Sequence, residues 1–336
     1  MKLYLPLTIA VAAALLAAQP QAEAATAKPH ASKQAPAKKK LKKATHAKAK
    51  AKEPVARVAE RPPLPRTVLP SQTITSAPST PGLDEWLTAG DHRFTIQHEG
   101  LTRSYLVHVP DRYQPTETTP LLVALNSYGS ARTGDGGLAN LRRESDYQGF
   151  IAVYPEAYGG KGQAPAWHTR TGGRDVNDVG FIAKVVHNVF RQASVDRGRI
   201  YAAGVADGGT MAYQLACDLP YVFRGVASVG GADTSGHCAE GKAVSVFHLH
   251  AQDDPTVPFS TAPVTTAKWA QQNGCELQPR KVLRHGGTYC EAYTYCRERT
   301  AVKLCAPETS AQVTAAAAPS YGIDGTRNMW AFLRSN

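Results

Sequence analysis

Residues 199–213 read RIYAAGVADGGTMAY, and their types and spacing are those of a nucleophile turn. Residues 200–204 form a short apolar run with strand character, and residues 210–217 (TMAYQLAC) carry the start of a helix. Between them, Gly204, Gly208 and Gly209 flank a tight reversal. Strand, glycine-flanked turn, helix is the geometry in which G-x-S-x-G lifts a serine oxygen above a sheet to attack an acyl carbon. Glycines are required because the turn is strained and its neighbours approach closely. The central residue in this chain is Ala206, which has no oxygen. The frame of an acyl-transfer site is therefore present without its nucleophile.

The stretch GVADGGTMAYQLACDLP resembles the elbow region of the secreted polyhydroxybutyrate depolymerase and feruloyl esterase group of α/β-hydrolases. That group typically reads G-L-S-N-G-G-M-M-A-Y-x-L-A-C at this point. The likeness runs from about Gly100 to Trp330 and includes a V-P-D-R-Y segment at 109–113. It implies an α/β-hydrolase fold, a mostly parallel central sheet with helices on both faces, and carboxylic ester chemistry.

Ester hydrolysis on this fold needs an attacking hydroxyl, an imidazole to take its proton, a carboxylate to orient the imidazole and N–H donors for the oxyanion. The resemblance places the nucleophile at Ala206 and the acid at Asp254, in AQDDPTVPF at 251–259. Asp253 reads as a loop residue beside it. The family's G-G-x-H-x-W-P has become TAAAAPSY at 314–321, which puts Ala316 at the histidine position. No histidine follows His285. The oxyanion loop, H-G-x-G in the family, reads Asn126, Ser127, Tyr128, Gly129. Tyr128, Ser130 and Trp167 stand where they would line a pocket. Asp207 occupies the family's Asn position and has two readings, a cap of the following helix or a displaced nucleophile. Ser127 with His285 is the other route to a relocated site.

The elements that must position these residues are legible from pattern. Residues 93–98 and 103–109 read as an antiparallel pair turning at Glu99-Gly100. Residues 121–125 (LLVAL) and 149–154 (GFIAVY) are continuous apolar runs, as strands buried on both faces require. Residues 178–192 have a helical period, with Phe181, Val185 and Val189 on one stripe and Ile182, Val186 and Phe190 beside it. Residues 223–230 and 243–250 read as later strands. Strands alternating with helices argue for a parallel sheet covered on both faces.

Composition bounds the rest. Residues 1–24 have a basic start, an apolar run and an A-x-A site, which describe a secretory signal peptide. No later segment is long and apolar enough to span a bilayer. Residues 25–82 are rich in Ala, Lys and Pro and read as a disordered linker before a domain at 83–336. The net charge of the whole chain is +11, and residues 25–66 alone carry that surplus. An anionic envelope surface is the expected partner of this segment, and nucleic acid the less favoured one. An ester or hydroxyacyl compound is the expected ligand of the domain. Six cysteines, Cys217, Cys238, Cys275, Cys290, Cys296 and Cys305, suit disulfides in an exported, secreted or periplasmic chain. Loop length favours Cys217 with Cys238 and leaves four to pair among themselves. Cys290 and Cys296 are the cysteines that could ligate a metal, but no histidine pair supports a zinc site, and no cofactor is expected.

Overall fold

A computed structural model describes residues 86–127, 138, 140–160, 163–169, 176–238, 241–314 and 325–336. The expected signal peptide and nearly all of the basic linker lie outside these residues, as do Tyr128, Ser130 and Ala316.

Among the described residues, ten strands form one sheet. They are β1 (Gly90–His98), β2 (Leu101–Val109), β3 (Thr119–Leu125), β4 (Ile151–Pro155), β5 (Val195–Val205), β6 (Gly225–Val229), β7 (Ser245–Leu249), β8 (Arg280–His285), β9 (Thr288–Tyr293) and β10 (Val302–Ala306). Their spatial order is β1-β2-β4-β3-β5-β6-β7-β10-β9-β8. The six strands from β4 to β10 in that order run parallel, and antiparallel strands close both edges. The helices are α1 (Leu141–Gln148), α2 (Asp178–Gln192), α3 (Asp207–Asp218), α4 (Thr261–Gln272), α5 (Ser310–Thr314) and α6 (Gly325–Ser335).

Strand β3 explains why both faces need cover. All seven of its residues are buried, and successive side chains point to opposite faces. Leu121, Val123 and Leu125 enter a core completed by Phe181 of α2, Met211 of α3 and Trp269 of α4. Leu122 and Ala124 enter a second core with Leu141 of α1 and Trp330 and Leu333 of α6. The α2 stripe packs as its period requires: Phe181, Ile182, Val185, Val186 and Val189 are buried. Its start is fixed by Asn177, whose side chain accepts the Gly180 N–H at 2.8 Å.

Three disulfides tie the second half together. Cys217 bonds Cys238, Cys275 bonds Cys296, and Cys290 bonds Cys305. The last pair sits directly across the β9–β10 ladder. Cys290 and Cys296 are therefore committed to sulfur partners rather than to a metal.

The β5–α3 crossing is the tightest place in the sheet. A Cβ on Gly204 would lie 2.3 Å from the Gly208 carbonyl carbon, and one on Gly208 would lie 2.3 Å from the Leu125 carbonyl oxygen. A Cβ on Gly209 would meet the Ser228 hydroxyl at 2.5 Å, and one on Gly231 would meet Gly209 at 2.6 Å. Three of these clashes are against main chain of a buried strand or helix start, which cannot swing away. Gly208→Ala is therefore expected to lower unfolding free energy by about 3 kcal/mol, at the top of the usual overpacking range. Gly100→Ala, at a φ of +78° with nothing within 4 Å, meets no clash and should cost only the left-handed backbone penalty of about 1–2 kcal/mol. Urea midpoints of the two variants measure the contrast, and equal midpoints would contradict the packing argument.

Candidate functional site

Ala206 is the single residue between the end of β5 and the start of α3. Its backbone has φ 51° and ψ −116°, a conformation that L-residues avoid at a cost of about 1–3 kcal/mol. Two main-chain hydrogen bonds hold it there. The Ala206 N–H donates to the Val229 carbonyl of β6 at 2.8 Å, and its own carbonyl accepts the Thr210 N–H at 3.0 Å. The elbow is thus fully formed, and a methyl group occupies its tip.

Ala206 lines a pocket of about 380 Å³ with Val205, Thr210, Val229, Asp254 and Val257 among its walls. The pocket is mostly apolar. Asp254 follows β7, and its Oδ1 accepts the Thr256 and Val257 N–H groups at 2.8 and 2.9 Å. Its side chain is 18% exposed. Asp253 points elsewhere: its carboxylate accepts the Ser310 N–H and hydroxyl, so it ties the loop to α5.

Asp207 is the first residue of α3, not its cap; the capping position belongs to Ala206. Its carboxylate accepts the Trp167 N–H at 3.4 Å. Trp167 is only 6% exposed, and its indole N–H donates to the Asn126 carbonyl at 2.8 Å. Trp167 therefore braces the end of β3 against the elbow and is not among the residues lining the pocket. The Asn126 amide N–H donates to the Ser127 carbonyl at 3.3 Å, while its side-chain oxygen is buried without a hydrogen bond among the described residues. The loop carrying Trp167 is pinned from α2. Asp178 accepts the His168 main-chain N–H at 2.7 Å and its ring Nδ1–H at 3.1 Å, and pairs with Arg103 at 2.6 Å. His285 is the last residue of β8, the outermost strand; it is exposed and does not line the pocket.

Sequence reasoning missed a buried chain behind the acid. His250 is fully buried, and its Nε2 lies 3.6 Å from Asp254 Oδ2. That nitrogen also lies 2.9 Å from the Val257 carbonyl, which can only accept, so Nε2 carries the proton. His250 Nδ1 must then accept from His248 Nε2–H at 3.0 Å. His248 Nδ1 in turn accepts the Tyr213 hydroxyl at 2.6 Å. One set of tautomers satisfies every link from α3 to the Asp254 loop. Burial, then the neighbouring His250, push the His248 ring down to about 3, while Asp233 opposes them. Burial raises the Tyr213 hydroxyl well above its ordinary value. The signal is present as His248-Leu249-His250, two histidines at and just beyond the end of β7, the second four residues before the acid.

A parallel sheet flanked on both faces, with a strained strand-to-helix elbow at the C-terminal end of a central strand and an acid after a later one, defines an α/β-hydrolase. The comparisons with known proteins narrow that class. Residues 104–267, from β2 into α4 and including both elbow and acid, match the family model described as esterase PHB depolymerase. These residues and the relatives below support a PHB depolymerase and feruloyl esterase-like family within the α/β-hydrolases. It is 26% identical over 180 residues to a probable feruloyl esterase C of Aspergillus clavatus, covering 52% of this chain and 62% of that protein. It is 31% identical over 229 residues to the putative esterase NocK of Nocardia uniformis, covering 64% of this chain and 63% of that one. Feruloyl esterase B of Piromyces equi is 26% identical over 225 residues, and the match spans 41% of its length. The acetyl xylan esterase of Aspergillus awamori shares the fold, with a TM-score of 0.51 at 16% identity over 64% of this chain and 92% of that chain.

The histidine chain makes a prediction about acid. The unfolded chain protonates His248 near its ordinary 6.5, and the folded chain only near 3. Between those values the unfolded state binds more protons, so stability falls as pH drops from about 6.5 towards 3, by up to about 1.4 kcal/mol per pH unit from this group. His248→Gln should show a shallower acid limb in unfolding free energy against pH. Identical slopes in wild type and variant would contradict the assignment.

Proposed function

We infer that this chain binds an ester or hydroxyacyl compound in the pocket above the elbow without cleaving it at enzymatic speed. Ala206 carries the reading. The backbone is strained into the position that presents a nucleophile, and the residue presented has nothing to attack with. Asp254 supports it, because the acid keeps its two main-chain donors while no histidine is among the described residues lining the pocket. Losing the serine or the histidine of such a triad costs about a millionfold in kcat. Replacing both with alanine also leaves the cleft smoother and more apolar, which suits retention of an acyl ligand.

A relocated site finds less support. Asp207 is engaged with Trp167, and His285 stands exposed on the outermost strand. Docking through the basic segment at 25–66 concerns residues outside those described, and remains a proposal from charge alone. Three disulfides suit an oxidising compartment, which favours a secreted or periplasmic setting. No helix among the described residues is long and apolar enough to cross a membrane.

The test uses the purified full chain with short nitrophenyl esters and their uncleavable ketone analogues. The expected outcome is no turnover above buffer, together with a dose-dependent rise in Tm from the ketones, worth about 2.7 kcal/mol at a hundredfold excess over Kd. Ala206→Ser combined with Ala316→His should then gain measurable turnover. Wild-type turnover that disappears in Asp207→Ala or Ser127→Ala would overturn the reading.

A further inference from the structure

The sheet has a second end. Opposite the elbow, the first residues of β5, the approaches to β6 and β7 and the short turn at Arg297–Arg299 enclose a hollow of about 290 Å³. Its charged lining is uneven: Arg197, Arg224 and Lys242 surround it, against one carboxylate, Glu298. Among the described residues none of these three cations is ion-paired. Arg199, two residues beyond Arg197, does pair, with Asp196 at 2.7 Å. The contrast is local, so the surplus of positive charge belongs to the hollow rather than to the surface as a whole.

The three cations are held in different ways. Arg224 is fixed in place: its Nη2 donates to the Glu298 carbonyl at 2.7 Å and to the Arg299 carbonyl at 3.4 Å. Both carbonyls are aimed at it because the backbone is left-handed at Glu298 (φ 56°) and Arg299 (φ 58°). The turn that carries them follows Cys296, which is bonded to Cys275. Among the described residues the remaining N–H groups of the guanidinium have no hydrogen-bond partner, and they form a rigid fork. Arg197 rests over the Phe190 ring at 5.1 Å, and the Lys242 ammonium lies 5.9 Å from the Tyr221 ring. Tyr221 is 72% exposed at the rim, next to Pro220. Like charges around one hollow repel each other, and contacts with aromatic rings do not neutralise them. An anion in the hollow does both jobs, and a planar guanidinium with free N–H groups suits a carboxylate or phosphate. The exposed tyrosine and proline add a flat apolar face beside that charge, which matches the C–H face of a sugar ring.

We propose that this hollow is a binding site for an anionic sugar, a pyranose ring carrying a carboxylate or a phosphate. Arg224 takes the anion in its fork, Arg197 and Lys242 close over it, and Tyr221 with Pro220 carries the ring. The volume is at the small end of ligand pockets, so the site grips one charged residue rather than a long stretch of polymer. It lies at the N-terminal ends of the parallel strands, so occupancy leaves the elbow pocket open.

The full chain, titrated calorimetrically at low ionic strength with trigalacturonate, glucose 6-phosphate and uncharged maltotriose, tests the assignment. The basic segment at 25–66 is common to every variant, so the comparison between variants isolates the hollow. At least one charged sugar should bind, with the carboxylate and phosphate arms naming which source of negative charge fits, and maltotriose should not. Arg224→Met should weaken binding about tenfold, as expected when a charge-assisted fork is lost. Lys242→Gln, at an exposed position that keeps the fold intact, should weaken it less. Glu298→Gln should strengthen it, and Tyr221→Ala should weaken sugar binding while leaving inorganic phosphate unaffected. If neither charged sugar binds, or if Arg224→Met and Lys242→Gln both bind as wild type does, the hollow is not the site.

Discussion

Everything at the candidate site depends on how closely helix α3 approaches the sheet as it leaves strand β5. Glycines at 204, 208, 209 and 231 let main chain meet main chain at distances that any side chain would forbid. That approach forces the one intervening residue, Ala206, into a left-handed backbone with φ 51°. The strain is stabilised by burial on both faces of the sheet, not by anything Ala206 itself contributes. In a serine hydrolase the same strain positions an attacking oxygen. In this chain the scaffold keeps the whole apparatus of presentation while presenting a methyl group.

The surroundings have been kept with similar care. Asp178 anchors the His168 loop, Trp167 on that loop reaches both Asn126 and Asp207, and the end of β3 is thereby locked to the elbow. Behind Asp254, the Tyr213–His248–His250 chain satisfies every donor in a region where an unpaired polar group is costly. These contacts preserve shape whether or not chemistry follows. A cleft with a maintained wall and a methyl group at its elbow suits the binding role inferred above.

Much of this is legible in the sequence itself. The α2 helix runs from Asp178 to Gln192 as its period indicated, and the apolar runs at 121–125 and 200–204 lie within β3 and β5. Those segments announce themselves because burial on two faces leaves almost no polar residues. The α1 helix, LRRESDYQ, did not, since only Leu141, Glu144 and Ser145 are buried and its apolar signal is thin. Strand β8 is mostly exposed and charged, and is a strand because β9 templates it at the sheet edge. Loop length favours Cys217 with Cys238, whereas Cys290–Cys305 depends on β9 lying beside β10, and Cys275–Cys296 on the segments after α4 and β9 meeting. The buried histidines escaped notice for a different reason. A base is sought after the acid in chain order, and these two precede it, acting on the loop from behind rather than on a substrate from the front.

The central claim is that no side chain of the folded protein is an activated nucleophile. Intact-mass measurement after incubating the wild-type full chain with a fluorophosphonate reads this directly, because the reagent marks activated hydroxyls. The account predicts an unchanged mass. A stoichiometric adduct, at Ser127 or anywhere else, would show that some other oxygen has taken over the attack.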